Sequence, residues 1–218
     1  MSLAIFDLDN TLIGGDSDHA WGDFLCRKGI VDKEAYRRAN DYFYEQYKNG
    51  GLDIHEYLNF ALLPLAANEI SALNQWHKEF MDTMIKPIML PKAQALLEKH
   101  RAQGDYLLII TATNRFVTQP IADLLGVDAI LATEPEMKDG VYTGHVAGTP
   151  CFQQGKVERL HDWLAETGHD LKDSYFYSDS HNDLPLLKQV DNPVAVNPDG
   201  ALADYANSQN WPVLDLRA

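Results

Sequence analysis

The feature that most constrains this fold is the alternation, along most of the chain, of short apolar runs with segments of helical periodicity. The apolar runs lack the polar positions expected of a half-exposed strand, so they predict strands buried on both faces. These strands are expected at residues 3–6, 106–111, 129–132, 174–178 and 193–196. Helices are expected at residues 91–103, 116–125, 152–167 and 183–190. Buried strands separated by helices predict an α/β fold with a parallel sheet covered on both faces.

Residues 17–84 follow a different pattern, in which helical periodicity is interrupted by turn residues such as Gly29, Pro64 and the run Asn49-Gly50-Gly51. This pattern predicts about four helices and no strand. We therefore expect a core domain of residues 1–15 and 86–218, with an all-helical domain of residues 16–85 inserted after the first strand. An Asp-Gly pair at 139–140 predicts a small hairpin at residues 137–146 beside the sheet.

The composition disfavours several classes of protein. The chain carries 32 acidic and 18 basic residues, a net charge of −14, and no basic run that would bind nucleic acid or an anionic membrane. Its two cysteines, Cys26 and Cys151, are too few for a disulfide framework. Neither a signal peptide nor an apolar run of about 20 residues is evident. We expect a cytoplasmic monomer or homodimer without nucleic-acid or membrane partners.

Chemically active side chains follow the predicted strands at one edge of the sheet. The carboxyl ends of parallel strands meet at that edge, where open α/β sheets bind their ligands. Asp7 and Asp9 stand two residues apart in an extended segment, so that their side chains project on the same side. The full set consists of Asp7 and Asp9 after the first strand, Thr111 at the end of the second, Lys156 at the start of a helix, and Asp179 and Asp183 after the strand at 174–178.

This set of groups indicates phosphate chemistry. Clustered carboxylates need a compensating charge, and ligands that are all oxygen atoms suit Mg²⁺ rather than zinc. The Lys156 ammonium and the Thr111 hydroxyl can bind phosphate oxygens. A carboxylate can also attack phosphorus and form an aspartyl-phosphate, which divides hydrolysis into two easier steps.

In their order and spacing these motifs resemble those of the haloacid dehalogenase (HAD) superfamily phosphatases, in the phosphoserine-phosphatase-like branch with a helical C1 cap (subfamily IB). The Asp-x-Asp-x-Thr motif stands as Asp7-Leu8-Asp9-Asn10-Thr11. The apolar strand ending in Thr111, the lysine Lys156 and the acidic motif at residues 179–183 follow in the family's order. The resemblance covers nearly the whole chain. It implies a Rossmann-like core with an inserted helical cap, Mg²⁺ as cofactor, and hydrolysis of a small phosphomonoester through an aspartyl-phosphate.

The resemblance also implies roles for the acidic residues. Asp7 would be the nucleophile and a metal ligand. Asp9 would be the general acid and then the general base, with its main-chain carbonyl group on the metal. Asp179 would be the third protein ligand of the metal, and Asp183 would bind the metal through water or orient Lys156.

Four further residues would contact the substrate. The resemblance implies that the Thr111 hydroxyl and the Ala112 amide hold the phosphoryl group and that Lys156 offsets its charge. Asn182 stands three residues after Asp179, where phosphoserine-type enzymes carry an asparagine that contacts substrate.

At the positions expected to contact the leaving group of the substrate, the sequence departs from the phosphoserine phosphatase pattern. Asp16 occupies the position, nine residues after the nucleophile, where those enzymes carry the glutamate that contacts the substrate amine. No arginine lies between Arg38 and Arg101, where a clamp for the serine carboxylate is expected. Asp16 and the nearby Asp18 therefore favour a cationic leaving group without a carboxylate, such as the amino-alcohol histidinol, over phosphoserine.

Other interpretations stay open at this point. The same aspartyl-phosphate could pass to an acceptor alcohol in a phosphotransferase, or the fold could serve a regulatory protein that only binds metal and phosphate. We interpret His181 as a loop residue and Cys151 as an inert thiol. The aromatic residues expected in the core of the helical domain are Trp21, Tyr42, Phe43, Tyr44, Tyr47 and Trp76.

Overall fold

A seven-stranded, mostly parallel sheet runs through residues 2–217, the part of the chain that the computed structural model describes. The strand order is β4-β3-β2-β1-β5-β6-β7, and β3 and β4 are the one antiparallel pair in it. The central position of β1 brings the segments after β1, β2 and β5 together at one sheet edge. The strands are β1 (Leu3–Phe6), β2 (Tyr106–Asn114), β3 (Ala129–Lys138), β4 (Val141–Ala147), β5 (Tyr175–Ser178), β6 (Asn192–Val196) and β7 (Val213–Leu214).

The helices cover both faces of this sheet and fill the segment between β1 and β2. The α-helices are α1 (Ser17–Lys28), α2 (Lys33–Lys48), α3 (Ile54–Ala61), α4 (Leu63–Ala66), α5 (Ile70–Phe80), α6 (Pro91–Gln103), α7 (Arg115–Leu125), α8 (Gln154–Thr167), α9 (Leu184–Leu187) and α10 (Gly200–Gln209). Shorter turns are a π-helical turn at Met81–Ile85 and 3₁₀ turns at Lys86–Ile88 and His181–Asp183.

Alternate residues of the central strands supply two separate apolar cores. Ala4 and Phe6 of β1 belong to a core that also contains residues of α1, α6 and α7. Leu3 and Ile5 face the opposite core, which is closed by residues of α8, α9 and α10. Because successive side chains of a strand point to opposite faces, a strand that is apolar throughout needs helices on both sides.

We refer to residues 17–85, which lie between the segment after β1 and the 3₁₀ turn before α6, as the helical insertion. Its first helix, α1, packs Trp21 and Phe24 into the core that also contains Phe6 of β1. Its distal part forms a small apolar cluster around Leu58, Leu62, Leu65 and Leu73, against which Tyr142 and Val146 of β4 pack. The hairpin of β3 and β4 therefore supports the helical insertion from the side of the sheet.

The bounds predicted from sequence are confirmed for β1 and α6. Strands β2 and β3 are longer than expected, and the hairpin continues the sheet rather than lying beside it, since β4 pairs with β3. The helix expected at residues 183–190 is wrong in extent, because a 3₁₀ turn precedes the four-residue α9. Sequence reasoning also missed α10 and the short edge strand β7.

Within residues 2–217, no helix combines the length and the apolar character that crossing a bilayer demands.

Candidate active site

A buried ion-pair network occupies the sheet edge where β1 and β5 end. The Nζ atom of Lys156 lies 2.8 Å from Oδ1 of Asp7 and 2.7 Å from Oδ1 of Asp183. The Ser178 hydroxyl donates a 2.7 Å hydrogen bond to Asp183. All four side chains are buried. Residues from three distant stretches of sequence thus meet in one place.

The start of α8 is shaped to bring Lys156 to this edge. A β-carbon on Gly155 would collide with the main-chain carbonyl group of Pro150, so only glycine fits at that position. Gln153, the residue before the helix, has a φ of 47°, which turns the chain sharply into the first turn. The helix therefore begins tightly against the segment before it, and Lys156 is buried rather than exposed as a helical lysine usually is.

Both oxygens of the Asp9 carboxylate accept hydrogen bonds. The Ser17 main-chain N–H donates to Oδ1 at 2.6 Å, and the Thr113 hydroxyl donates to Oδ2 at 2.8 Å. The Thr111 hydroxyl lies 3.5 Å from the same Oδ2 atom. Burial and the charge of Asp16 raise the pKa of Asp9 to about 6, although the bonds from Ser17 and Thr113 oppose this shift. A carboxyl group with a pKa near neutrality suits a proton donor and acceptor.

The carboxylates outnumber the cations at this edge. Burial raises the pKa of Asp7 to about 7 despite the opposing effect of Lys156, and the charges of Asp183 and Asp9 contribute to the rise. Burial and the charges of Asp7 and Asp183 also raise the pKa of Asp179 well above its usual range. Asp179 accepts one hydrogen bond, of 3.3 Å, from the Thr11 hydroxyl. Burial is the main cause of both shifts, and the single ammonium group of Lys156 contacts both Asp7 and Asp183.

This donor set fits Mg²⁺. Among residues 2–217, no group of three or more His, Cys, Asp or Glu side chains is placed so that it could hold a metal ion. Mg²⁺ does not require one, because it usually takes one or two carboxylates and completes its octahedron with water and phosphate oxygens. The residues predicted to hold it are Asp7 and Asp179 through their carboxylates and Asp9 through its main-chain carbonyl group.

A cavity of about 50 Å³ separates the sheet edge from the helical insertion. Among the described residues, neither Lys nor Arg lines this cavity. The lining residues comprise Asp7, Asp9, Asp16, Asp18, His19, Asn40, Phe43, Tyr44, Tyr47, Leu52, Ile54, Tyr57, Thr111, Ala112, Thr113 and Phe152.

Asp16 and Asp18 form the acidic side of this cavity towards the helical insertion. Asp16 caps the start of α1 by accepting a 2.8 Å hydrogen bond from the His19 main-chain N–H. Asp18 shares a side-chain hydrogen bond with Tyr57. Burial is the main reason why the pKa of each carboxyl group is raised to about 6, with further contributions from neighbouring carboxylates. A bound cation would lower both pKa values and offset the cost of burying these groups.

Ala112 and Asn182, which are also predicted to contact the substrate, differ in their position relative to the cavity. Ala112 lines the cavity, and its carbonyl group accepts a 2.7 Å hydrogen bond from Thr133. Asn182 lies outside the lining. Its Oδ1 accepts a 2.9 Å hydrogen bond from Gln153, and its Nδ2 donates one of 3.1 Å to the Tyr47 carbonyl group. Contact of Asn182 with substrate stays a prediction.

Sequence reasoning missed several of the side chains that line the cavity, among them Thr113 and Tyr47. Thr113 stands two residues after Thr111, and this period-two spacing in a strand is the signal that could have revealed its contact with Asp9. Tyr47 was assigned to the helical core, whereas it lines the cavity together with Phe43 and Tyr44. The core assignment is also wrong for Tyr42, which is 54% exposed.

The structure agrees with the interpretation of His181 and Cys151 as residues outside the chemistry. His181 Nδ1 lies 2.7 Å from the Asp199 carboxylate, and neither residue lines the cavity. Cys151 is fully buried, and burial raises the pKa of its thiol to about 12. A thiol with such a pKa carries no appreciable thiolate at neutral pH and is unreactive.

The model of the haloacid dehalogenase-like hydrolase family matches residues 4–188, which include every motif described above. The chain belongs to this family. Its similarity to phosphatases of the family places it among the phosphoric monoester hydrolases.

Three relatives illustrate the similarity. The chain is 47% identical over 220 residues to a protein of Neisseria meningitidis serogroup C (strain 8013) named histidinol-phosphatase, and the match covers 99% of each chain. A solved Bordetella pertussis Tohama I protein of unknown function is 46% identical, with a TM-score of 0.93 over 99% of this chain and 98% of that one. A phospho-aspartyl intermediate analogue of phosphoserine phosphatase is 18% identical, with a TM-score of 0.72 over 100% of this chain and 93% of that one. The last similarity shows a shared HAD fold.

Proposed function

We propose that this HAD hydrolase is a Mg²⁺-dependent phosphatase that removes phosphate from histidinol phosphate, or from a closely similar amino-alcohol phosphate, through an aspartyl-phosphate on Asp7. The observation that carries the proposal is the convergence of Asp7, Lys156 and Asp183 beside Asp9 at the carboxyl ends of β1 and β5. When bound, Mg²⁺ would supply positive charge that lets an anionic nucleophile approach an anionic phosphate.

In the first step, a carboxylate oxygen of Asp7 attacks phosphorus, and the bond between phosphorus and the ester oxygen breaks. Protonated Asp9 gives its proton to that departing oxygen, which leaves as an alcohol. The hydrogen bonds from Ser17 and Thr113 fix the direction of the Asp9 carboxyl group. Lys156 and the Thr111 hydroxyl stabilise negative charge on the phosphoryl oxygens.

In the second step, water attacks the aspartyl-phosphate. Asp9, now ionised, accepts a proton from the water molecule, and the bond between phosphorus and the Asp7 oxygen breaks to release phosphate. Asp183 keeps Lys156 in place through the 2.7 Å contact and serves the metal indirectly. Asp7 and Asp9 then return to their starting states.

The proposed substrate follows from the leaving-group end of the cavity. Asp16 and Asp18 face it, neither Lys nor Arg is among its described lining residues, and aromatic side chains complete it. A leaving group with an ammonium group and a flat ring suits this lining, whereas the carboxylate of phosphoserine would face like charges. The relative named histidinol-phosphatase independently favours the same choice. The helical insertion would then act as a cap that encloses the substrate and excludes water.

The test is a comparison of kcat/KM, with Mg²⁺ present, for histidinol phosphate, phosphoserine, a neutral sugar phosphate and p-nitrophenyl phosphate. We expect histidinol phosphate to be hydrolysed best, activity to disappear with EDTA and to return with Mg²⁺, and Asp7→Asn to be inactive. Equal kcat/KM for the neutral sugar phosphate and histidinol phosphate would remove the substrate assignment.

The same assays separate the alternative functions. A phosphotransferase would form a new phosphoester when an acceptor alcohol is added, in place of released phosphate. A protein that only binds metal and phosphate would hydrolyse none of the four esters. No structural observation favours either alternative over hydrolysis.

A further inference from the structure

Tyr47, near the end of α2, extends from the helical insertion into the phosphoryl end of the cavity. It lines that cavity together with Asp7 and Thr111. Burial raises the pKa of the Tyr47 phenol well above its usual range, and the negative charges of Asp7, Asp179 and Asp183 add to the rise. The phenol is therefore a neutral O–H group surrounded by the carboxylates of the site.

The residues that follow β5 lie close to Tyr47. The Asn182 main-chain N–H donates to the Ser180 hydroxyl oxygen at 3.2 Å. The Ser180 side chain lowers the pKa of the Tyr47 phenol, against the larger effect of burial.

The Asn182 side chain holds the main chain of Tyr47. Its Nδ2 donates a 3.1 Å hydrogen bond to the Tyr47 carbonyl group, and its Oδ1 accepts a 2.9 Å bond from Gln153. Asn182 is 3% exposed, so water competes little for these bonds. The amide therefore links the end of α2 in the helical insertion to the segment that begins α8.

A second contact supports this link three residues further along the chain. A β-carbon on Gly50, which has a φ of 71°, would lie 2.8 Å from Nε2 of His181. The His181 ring is held on its other side by Asp199, at 2.7 Å from Nδ1. Glycine therefore allows the loop after α2 to lie directly on the segment that carries Ser180 and Asn182.

We propose that the Tyr47 hydroxyl donates a hydrogen bond to a phosphoryl oxygen of the bound ester, and that Asn182 is the positioning residue that holds Tyr47 there. This inference rests on the proposed function, because it takes the phosphoryl end of the cavity as the reaction site. A neutral donor suits this place, since another cation would compete with the metal for the carboxylates and another carboxylate would repel the phosphate. The helical insertion then contributes to the phosphoryl transfer itself as well as to the choice of leaving group.

The first test compares Tyr47→Phe with Tyr42→Phe, an exposed tyrosine on the same helix that serves as the matched control. We expect Tyr47→Phe to lower kcat by about ten- to a hundred-fold, the loss typical of one hydrogen bond to a charged group, with a smaller change in KM. The loss should be similar for histidinol phosphate and p-nitrophenyl phosphate, since both carry the same phosphoryl group. Tyr42→Phe should behave as the wild type. Wild-type kcat in Tyr47→Phe, or a loss confined to histidinol phosphate, would overturn the assignment.

The second test addresses Asn182. If this residue acts by holding Tyr47, Asn182→Ala should lower kcat markedly in the wild-type background and by much less in the Tyr47→Phe background. Equal losses in the two backgrounds would show that Asn182 acts independently of Tyr47. Circular dichroism and the thermal midpoint establish that each variant is folded.

The third test does not require turnover, so it separates this inference from the proposed function. Binding of inorganic phosphate in the presence of Mg²⁺ is measured by calorimetry for the wild type and for Tyr47→Phe. We expect the variant to bind phosphate about tenfold more weakly, which is the effect of one lost hydrogen bond to an anion. If the wild type hydrolyses no ester yet shows this difference, the proposed function fails and the Tyr47 contact stands. Equal affinities overturn the contact whatever the activity.

Discussion

The Thr113 hydroxyl donates a 2.8 Å hydrogen bond to Oδ2 of Asp9, across 104 residues of sequence. Thr113 is 5% exposed, and its position on β2 directs it to the same oxygen that Thr111 approaches at 3.5 Å. The Ser17 main-chain N–H donates a hydrogen bond to the other carboxylate oxygen of Asp9, Oδ1. The proposed general acid is thus held on both oxygens by groups from different parts of the chain, and this arrangement permits specific predictions.

Replacing Thr113 by valine should impair the proton transfers assigned to Asp9. The variant keeps the shape of the side chain and removes the donor, so Asp9 loses one of the bonds that orient it. We expect kcat with p-nitrophenyl phosphate to fall by about tenfold, which corresponds to roughly 1.4 kcal/mol, while KM changes little. Thr113→Ser keeps the hydroxyl group and should recover most of the activity. If valine and serine variants have equal kcat, the bond does not matter for catalysis.

Replacing Lys156 by methionine should affect folding as well as catalysis. Asp7 and Asp183 would then be buried without their cation, and removing one partner of a buried ion pair costs about 3–5 kcal/mol. We expect a loss of this size in the free energy of unfolding, measured by urea denaturation, together with loss of phosphatase activity. Lys86→Met is the matched control, because the Lys86 side chain is 57% exposed and pairs with Asp82, which is 64% exposed. That surface pair contributes at most about 1 kcal/mol. Similar stability losses in the two variants would contradict the importance of the buried network.

Asp16→Asn should change substrate preference and leave the fold intact. Asparagine serves about as well as aspartate at a helix start, so the cap of α1 is retained. The variant loses the charge that we assign to the ammonium group of the leaving alcohol. We expect kcat/KM for histidinol phosphate to fall by about tenfold or more, in keeping with a charge-assisted hydrogen bond, and kcat/KM for p-nitrophenyl phosphate to change much less. Parallel losses with the two substrates would remove Asp16 from leaving-group recognition.

The contribution of His77 to the free energy of unfolding should decrease in mild acid. The centroid of its ring lies 5.1 Å from the centroid of the Phe116 ring, and its Nε2 lies 3.0 Å from the Val117 carbonyl oxygen. Burial lowers the pKa of His77 below the ordinary value of 6.5. The neutral ring is therefore favoured in the folded state, while the unfolded chain takes up a proton first as the pH falls. The contribution of His77 is present above about pH 6.5 and is lost as the pH falls through the folded-state pKa.

The measurement is urea unfolding of the wild type and His77→Gln between pH 7.5 and 5.5. Because glutamine does not titrate, the stability difference between the two proteins should shrink as the pH falls. His161→Gln, at an exposed position of α8, is the matched control for the replacement of a histidine. A pH-independent difference between the wild type and His77→Gln would show that burial of His77 does not perturb its ionisation.

The local elements of the fold could be predicted where neighbouring residues decide them. Pro91 and Gly104 mark the two ends of α6, because proline favours the first turn of a helix and glycine the left-handed position after it. The apolar run Leu3–Phe6 has no polar position, and this pattern predicts the fully buried strand that it forms. In contrast, the Asp-Gly pair at 139–140 predicts a hairpin but not that this hairpin continues the sheet or packs against the helical insertion.

The sequence by itself determined the class of the fold and the order of its catalytic motifs, since strand apolarity, helix ends and motif spacing are properties of short segments. It also placed Asp7, Lys156 and Asp183 at one edge, because parallel strands bring their carboxyl ends together. Only the tertiary structure decided which partners complete the site. The bond from Asn182 to Tyr47 spans 135 residues, and it exists only because the helical insertion packs over the sheet edge. Helical periodicity predicts that a side chain such as Tyr47 faces inward. It does not show whether that side chain packs in an apolar core or lines a cavity.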